Sequence, residues 1–221
     1  GQVAKLTASD AASFDYFGIS VAIDGGTVVV GAYRDNDAGT DSGSAYVFHT
    51  SDGGATYVEV AKLTASDAAA NDEFGISVAI DGGTVVIGAQ HYNNGGSGVV
   101  YVFLTTDGGA TYGQVAKLTA ADAAVNDRFG YSVAIAGDTV VVGTYSKEAV
   151  YVFLTTDGGA TYAQVAKLTA SDAASGDNFG KSVAIDGGTV VVGASHYDNG
   201  GSGAVYVFLT TDGGATYGQV A

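Results

Sequence analysis

The chain of 221 residues contains no proline, cysteine, methionine or tryptophan, and only eight of its residues are lysine or arginine. Without cysteine, neither a disulfide framework nor a thiolate metal site can form. The 23 acidic residues give a net charge of -15, which repels nucleic acid and anionic membranes and attracts divalent cations. We therefore expect a protein that does not bind nucleic acid.

Long hydrophobic runs are also missing, and no run approaches the roughly 18 residues of a membrane span. The apolar runs have the length of β-strands, and no segment shows a helical period. We expect no membrane insertion. The acidic composition, rich in glycine and threonine, is typical of an extracellular or cell-surface protein.

What the sequence does contain is a repeat. The tetrapeptide Lys-Leu-Thr-Ala begins at Lys5, Lys62, Lys117 and Lys167. Its period of about 50 to 57 residues is in the range of propeller blades with loops. It divides a single domain, 1–221, into repeats at approximately 5–61, 62–116, 117–166 and 167–221.

Each repeat offers four strand-like runs, which in the first repeat are 20–23, 27–30, 45–48 and 58–64. The Asp-Gly-Gly between the first two runs predicts a tight hairpin with positive φ. These two runs are apolar throughout, so we expect both of their faces to be buried. The fourth run mixes charged and apolar residues, as an outer strand would. The prediction is an all-β protein, a β-propeller of four four-stranded blades, alone or as part of a larger ring, array or assembly.

A Phe-Gly pair opens each unit, and Gly-Ala follows the second run at 31–32, 88–89 and 193–194, with Gly143-Thr144 in the third copy. This pattern resembles the FG-GAP repeat of integrin-type β-propellers, although the proline of that motif is absent. The resemblance implies a calcium loop between the first two strands. Here that turn holds one carboxylate, such as Asp24, which cannot supply the six to eight oxygens that calcium prefers. We therefore expect the calcium loop of the family to be missing.

The stretch Thr-Thr-Asp-Gly-Gly-Ala-Thr-Tyr, with one Ser variant, occupies 50–57, 105–112, 155–162 and 210–217. It resembles the Asp-box hairpins of sialidases and other propellers. We predict a structural turn in which the carboxylate accepts local N–H groups and the tyrosine ring packs beneath the turn. The residues concerned are Asp52, Asp107, Asp157 and Asp212, with Tyr57, Tyr112, Tyr162 and Tyr217.

Two sets of carboxylates are candidates for a cation such as calcium, and no cofactor is required. In the loop of the first repeat, Asp35, Asp37 and Asp41 stand at near-alternate positions around a glycine. The alternative is a solvated acidic loop. The second set precedes each Phe-Gly and would either ring the propeller axis around a cation or cap its own loop by accepting backbone N–H groups. Its members are Asp15, Asp72, Asp127 and Asp177.

An enzyme is not expected. A sialidase-like site needs three arginines, whereas the chain has Arg34 and Arg128, and none of the three histidines recurs in every repeat. We predict a non-enzymatic extracellular interaction or adhesion module that binds protein or glycan through its variable loops, 35–41, 91–96, 146–148 and 196–201. One alternative is a self-assembling structural subunit of an extracellular filament or surface layer. It draws on the similarity of the repeats and on a spare strand, since residues 1–4 repeat 218–221. A carbohydrate-active enzyme is the remaining alternative.

Overall fold

The computed structural model describes residues 1–90, 96–195 and 202–220, and in these ranges the chain forms β-strands without a helix. Each repeat folds into one four-stranded antiparallel sheet, here called a blade. The first blade consists of β1 Val21–Asp24, β2 Thr27–Ala32, β3 Ser44–His49 and β4 Val58–Leu63. The second consists of β5 Phe74–Asp81, β6 Thr84–Ala89, β7 Val99–Leu104 and β8 Gly113–Leu118. The third consists of β9 Phe129–Ala136, β10 Thr139–Thr144, β11 Ala149–Leu154 and β12 Ala163–Leu168. The fourth consists of β13 Phe179–Asp186, β14 Thr189–Ala194, β15 Ala204–Leu209 and β16 Gly218–Gln219.

Within every blade the strands pair in chain order, which confirms the predicted four-bladed all-β architecture. The first two strands are joined by the predicted glycine hairpin, and Gly25 adopts a φ of 52° at its tip. Only a residue without a Cβ takes this conformation at low cost. The antiparallel order places the first and third turns of a blade at one end, called the turn end. The opposite end, where the second strand leads into the variable loop, is called the loop end.

Neighbouring blades pack face to face, with the first strands contacting in the order β1, β5, β9, β13. We call the face that receives the next blade the forward face and the opposite face the rear face. Between the second and third blades, Val100 and Val102 of a forward face meet Ile135 and Val142 of a rear face, all of them buried. At each rear face the Phe of Phe-Gly packs against a tyrosine and a phenylalanine of the third strand, edge-on in every pair except the tilted Phe74–Tyr101.

A backbone contact accompanies each apolar interface. The Ser77 hydroxyl donates to the carbonyl of Gly130 in the next blade at 2.7 Å, and Ser20 and Ser132 make the equivalent bonds to their next blades. The approach is close enough that a Cβ on Gly88 would lie 2.0 Å from the Gly130 carbonyl oxygen. Glycine at this position is therefore required by the distance between blades.

The first and last blades each leave one face uncovered. On the forward face of the fourth blade, Val205 is 62% exposed, whereas its equivalents Val100 and Val150 are fully buried. On the rear face of the first blade, Val21 and Ile23 are 67% and 64% exposed. The expectation that both faces of the first two strands are buried is therefore wrong for β1 and β13, each of which has one exposed face because no neighbouring blade covers it. The four blades form an open arc.

The two copies of the Gly-Gln-Val-Ala sequence have different structures. Residues 218–219 form the fourth strand of the last blade, whereas residues 1–7 lie outside any strand. Leu6 and Ala8 pack against the rear face of the first blade, beside Tyr46 and Phe48. Among the described residues there is no helix long and apolar enough to cross a membrane.

Candidate functional site

The four turns that resemble Asp-boxes lie between the third and fourth strands of each blade. In the second blade, the Asp107 carboxylate accepts the Thr111 N–H at 2.9 Å and the hydroxyls of Thr111 and Thr105 at 2.6 and 2.8 Å. These bonds lower the pKa of Asp107 to about 2, the Thr111 hydroxyl contributing most. The remaining three turns repeat the pattern around Asp52, Asp157 and Asp212. These carboxylates are engaged in the turn itself.

The tyrosines of these turns also join neighbouring blades, which the sequence did not indicate. Tyr112 and Tyr217 reach the hydroxyls of Thr27 and Thr139 on the second strand of the preceding blade. Burial raises the pKa of Tyr112. Each ring packs against the core at the rear face of its own blade; the four tyrosines are Tyr57, Tyr112, Tyr162 and Tyr217.

The carboxylates that precede each Phe-Gly cap their own loops. Each accepts the N–H of the residue three positions earlier, at distances between 2.6 and 2.8 Å; they are Asp15, Asp72, Asp127 and Asp177. This is the geometry of the capping alternative, and the Lys147 ammonium adds a 2.8 Å contact to Asp127. The hypothesis of a cation shared among the four stays a prediction.

The acidic loop of the first blade contains a cluster of carboxylates. Asp35 and Asp37 lie beside Asp10, which the sequence did not place with them, and their nearest oxygens are within 4.8 Å of one another. The Lys62 ammonium donates to all three at 2.5 to 3.0 Å. Asp41 stands outside this group, and its N–H donates to the side chain of Asn36. Calcium binding by this loop stays a prediction, and Lys62 already supplies a positive charge there.

In the first two blades, the turn between the first two strands uses its carboxylate to contact the next blade, and the absence of the family's calcium loop stays a prediction. The Asp24 carboxylate accepts the N–H of Gly82 in the second blade at 2.7 Å. Asp81 makes the equivalent contact with Gly137 in the third blade. A single carboxylate that already joins two blades does not fit the oxygen-rich shell of calcium.

An aspartate, a tyrosine and a lysine recur together at the loop end of the first three blades. In the first blade Tyr46 donates to Asp10 at 2.7 Å, and Lys62 donates to the same carboxylate and lowers its pKa. The second and third blades repeat the arrangement with Asp67, Tyr101 and Lys117, and with Asp122, Tyr151 and Lys167. In the fourth, Tyr206 donates to Asp172 at 2.9 Å, and no lysine of the described residues joins them. When the repeats are aligned, these aspartates, tyrosines and lysines fall at equivalent positions, so the sequence alone could have revealed the cluster.

The variable loops are described only in part. The segments 91–95 and 196–201, which the sequence predicts to contact partners, lie outside the described residues. In the third blade the short loop is fastened to the fourth, because the Glu148 carboxylate accepts the N–H of Gly176 at 2.6 Å. Lys147 of the same loop pairs with Asp127 and Asp122.

Non-repeating side chains gather where these loops meet the first strands. In the third blade Tyr131 stacks on Tyr145 with ring centroids 5.1 Å apart, and Arg128 lies over the Tyr145 ring together with Lys181 from β13 of the fourth blade. In the first blade the Arg34 guanidinium lies over the rings of Tyr16 and Tyr33, 5.0 and 5.3 Å from their centroids. We call these seven residues the aromatic–basic surface.

The second blade lies between the aromatic groups of the first and third blades and contains a buried polar pair. In this pair the Gln90 amide donates to the Glu73 carboxylate at 2.5 Å. Burial raises the pKa of Glu73, and the positive charges of Arg34 and Arg128 act against this rise. Arg34 follows the end of β2 and Tyr145 follows the end of β10, so the groups of the first and third blades both lie at the loop end.

Four antiparallel sheets packed in sequence, with Phe-Gly at the start of the inner strands, define a β-propeller arc. The chain belongs to the FG-GAP repeat family, which it matches over residues 1–48, 57–103, 112–163 and 162–208. It is also similar to the crystal structure of a protein from Lactobacillus plantarum, with a TM-score of 0.62 and 14% sequence identity. That alignment covers 92% of this chain and 55% of the other, so the chain spans about half the length of that protein. This likeness shows the fold alone. No curated protein matches the chain.

Proposed function

We propose that the chain is a non-enzymatic extracellular interaction module that binds protein or glycan at its loop end. The observation that carries the proposal is the aromatic–basic surface. The turn end repeats nearly the same residues in every blade, whereas equivalent loop-end positions hold Tyr16, Glu73, Arg128 and Asn178. Tyrosine and arginine are the residue types that dominate binding energy at interfaces, because they offer large apolar area with polar groups.

The absence of catalysis is part of the proposal. It is supported by the structural use of the repeated carboxylates, since Asp52 and its equivalents accept three hydrogen bonds within their turns. A general acid and base need two carboxylates in different environments, whereas these four share one environment. The support for an extracellular location is the acidic composition, rich in glycine and threonine.

The test is a glycan array, followed by titration calorimetry with each glycan that the array identifies. We expect the double substitution Tyr131→Ala and Tyr145→Ala to weaken binding by at least about tenfold, because it removes both stacked rings. Val125→Ala is the matched control, since this side chain is 66% exposed and lies in a loop outside the surface. Binding that survives the double substitution would contradict the site. An array without signals would exclude glycan and leave a protein partner as the proposal.

A second candidate function is that of a self-assembling structural subunit. The specific observation that favours it is the similarity of the blade interfaces, in which the same valines and the same serine-to-carbonyl bond recur from one blade to the next. Light scattering coupled to size exclusion, performed across a wide range of concentrations, tests this candidate. A monomer at every concentration would exclude it.

A further inference from the structure

We propose that the third-blade part of the aromatic–basic surface binds a sugar that carries a single acidic group, either a carboxylate or a sulfate. Four side chains form this part, here called the acid-sugar site: Arg128, Tyr131, Tyr145 and Lys181. The inference rests on the proposed function, and it narrows the partner from protein or glycan to one class of glycan.

The residue before each Phe-Gly has the same unusual backbone in all four blades. Its φ lies between 56° and 57°, in the left-handed region, and the residues are Tyr16, Glu73, Arg128 and Asn178. Asparagine takes this conformation readily, whereas a larger side chain takes it at an energetic cost. The carbonyl of each accepts an N–H from three positions later, at Ile19, Ile76, Tyr131 and Lys181. The fold therefore holds this turn fixed while the side chains differ between blades, which is the arrangement of a surface whose specificity is set by its side chains.

The acid-sugar site combines residues of two neighbouring blades. Tyr131 lies on β9 and Tyr145 directly follows β10, and the two rings stack with an interplanar angle of 25°. Lys181 reaches the Tyr145 ring from β13 of the fourth blade. Both tyrosines keep part of their surface exposed. The packing of the third blade on the fourth thus holds the aromatic and the basic groups together.

Two positive charges approach one ring in this site. The guanidinium carbon of Arg128 and the Nζ of Lys181 lie 5.2 and 5.6 Å from the centroid of the Tyr145 ring. The negative face of an aromatic ring attracts each cation. The two cations repel each other, because both are held close to the same ring. An anionic group bound beside Tyr145 relieves this repulsion, whereas a neutral group does not.

The other lysines show that a carboxylate partner is the ordinary arrangement in this chain. Four of them pair with an aspartate oxygen within 2.8 Å; they are Lys62, Lys117, Lys147 and Lys167. Lys181 forms no ion pair with any carboxylate in the part of the chain that the structure describes, although acidic residues outnumber basic ones by 23 to 8. Its charge is directed to an aromatic ring at the loop end, where an acidic group of a ligand can meet it.

The charge of the chain limits how many acidic groups the ligand carries. The net charge of -15 repels a polyanion at long range. The carboxylate of Glu73, on which the charge of Arg128 acts, adds a negative group from the second blade. A chain with many sulfates, or a peptide with several carboxylates, therefore meets net repulsion. A single acidic group gains the attraction of both cations with the least repulsion.

The stacked tyrosines favour a sugar over an acidic peptide. An aromatic ring offers a flat apolar surface whose face carries partial negative charge. The C–H groups on one side of a pyranose ring form a flat surface with partial positive charge, so the two surfaces match. The side chains of aspartate and glutamate have no ring to stack. A sugar acid uses both parts of the site, because its ring packs on a tyrosine while its acidic group meets Arg128 and Lys181.

The first experiment compares three sugars that differ at one carbon: methyl glucoside, methyl glucuronide, and methyl glucoside sulfated at that carbon. Each is titrated into the isotopically labelled 221-residue chain and followed by the amide shifts in NMR spectra. We expect an acidic sugar to have a dissociation constant at least about tenfold below that of methyl glucoside, which is the size of one charge-assisted hydrogen bond. The largest shifts should occur at Tyr131, Tyr145 and Lys181. The tighter of the two acidic sugars shows whether the acidic group is a carboxylate or a sulfate.

The second experiment removes one charge at a time. Lys181→Gln and Arg128→Gln should each reduce the tenfold preference for the acidic sugar to about threefold or less, because one of the two cations is lost. The affinity for methyl glucoside should stay within about twofold, since a neutral sugar does not use the charge. Lys5→Gln is the matched control, because it removes the same charge from an exposed residue outside any strand. Lys181→Arg keeps the charge and should keep the preference, and circular dichroism checks that each variant is folded.

The outcomes separate this inference from the proposed function. Equal binding of acidic and neutral sugars at the tyrosines would overturn the inference and leave glycan binding in place. Tighter binding of acetyl-glutamate amide than of methyl glucuronide would assign the acidic group to a protein partner, which also overturns the inference and leaves the proposed function standing. No binding of any of the three sugars would overturn it as well, and the glycan array then tests the proposed function separately.

Discussion

The hexapeptide Ala-Val-Tyr-Val-Phe-Leu occurs twice, as β11 in the third blade and as β15 in the fourth. One substitution can therefore be compared in identical local sequence. Val150 on β11 is fully buried beneath the fourth blade, and its equivalent Val205 on β15 is 62% exposed. We expect Val150→Ala to destabilise the chain much more than Val205→Ala.

The magnitude follows from burial. Replacing a buried valine by alanine removes two carbons, worth about 0.8 kcal/mol each in transfer free energy. A residual cavity of roughly 40 Å³ adds about 1 kcal/mol. The total for Val150 is then about 2.5 kcal/mol. At Val205 about four-tenths of the transfer contribution applies and no closed cavity forms, which leaves about 0.6 kcal/mol.

The assay is reversible urea and thermal unfolding, followed by circular dichroism at a concentration where light scattering reports the monomer. The difference of about 2 kcal/mol corresponds to about 4 to 8 °C in melting temperature for a domain of this size. The dependence of the unfolding free energy on urea should be unchanged, so that the two variants report the same transition. Equal losses in the monomer would refute the open arc, because they would mean that the forward face of the fourth blade is covered.

The further predictions concern three other features of the blades. Asp107→Asn should lower the melting temperature at neutral pH and leave it unchanged below about pH 2, because the folded pKa of about 2 lies under the unfolded value. The stability contributed by this carboxylate is complete above about pH 4 and is lost as the pH falls through about 2. Thermal unfolding of both proteins across pH measures this loss, and a difference in melting temperature that persists below pH 2 would contradict the prediction. Lys62→Met should increase calcium affinity in titration calorimetry, because it removes the ammonium from a cluster of three carboxylates; an unchanged affinity would argue against calcium in this loop. Gly88→Ala should destabilise the chain by about 3 kcal/mol, since its Cβ would meet the Gly130 carbonyl. Gly193→Ala should cost less, because there the added Cβ meets only the side chain and backbone of a serine. Similar losses of unfolding free energy for the two variants would contradict this prediction.

The fold could be predicted from the sequence because its signals are local and repeated. The hairpin between the first two strands recurs as Asp-Gly-Gly in three blades and as Ala-Gly-Asp in the third, and the apolar runs recur four times, so each blade supports the assignment of the others. The exposure of the end faces could not be predicted in the same way. The same six letters are buried in β11 and exposed in β15, because burial there depends on whether another blade follows.

The candidate site was predicted less completely. Asp35 and Asp37 were identified from their spacing, but Asp10 lies 25 positions earlier and Lys62 lies 25 positions after Asp37. They meet because the loop before the first strand, the variable loop and the fourth strand converge at the loop end. The aromatic–basic surface was also missed, since Tyr131 lies on β9, Tyr145 directly follows β10, and the two rings stack only once these strands pair.

The contacts between blades have a consequence for the length of the molecule. Every blade meets its neighbours through the same valines, the same serine-to-carbonyl bond and the same close approach of glycines. A duplicated or deleted repeat thus creates no junction that the chain does not already contain. Recombination can therefore add or remove whole blades. Each added or removed blade changes the span of the arc, and it changes the stability of the chain by the contribution of one blade and one interface.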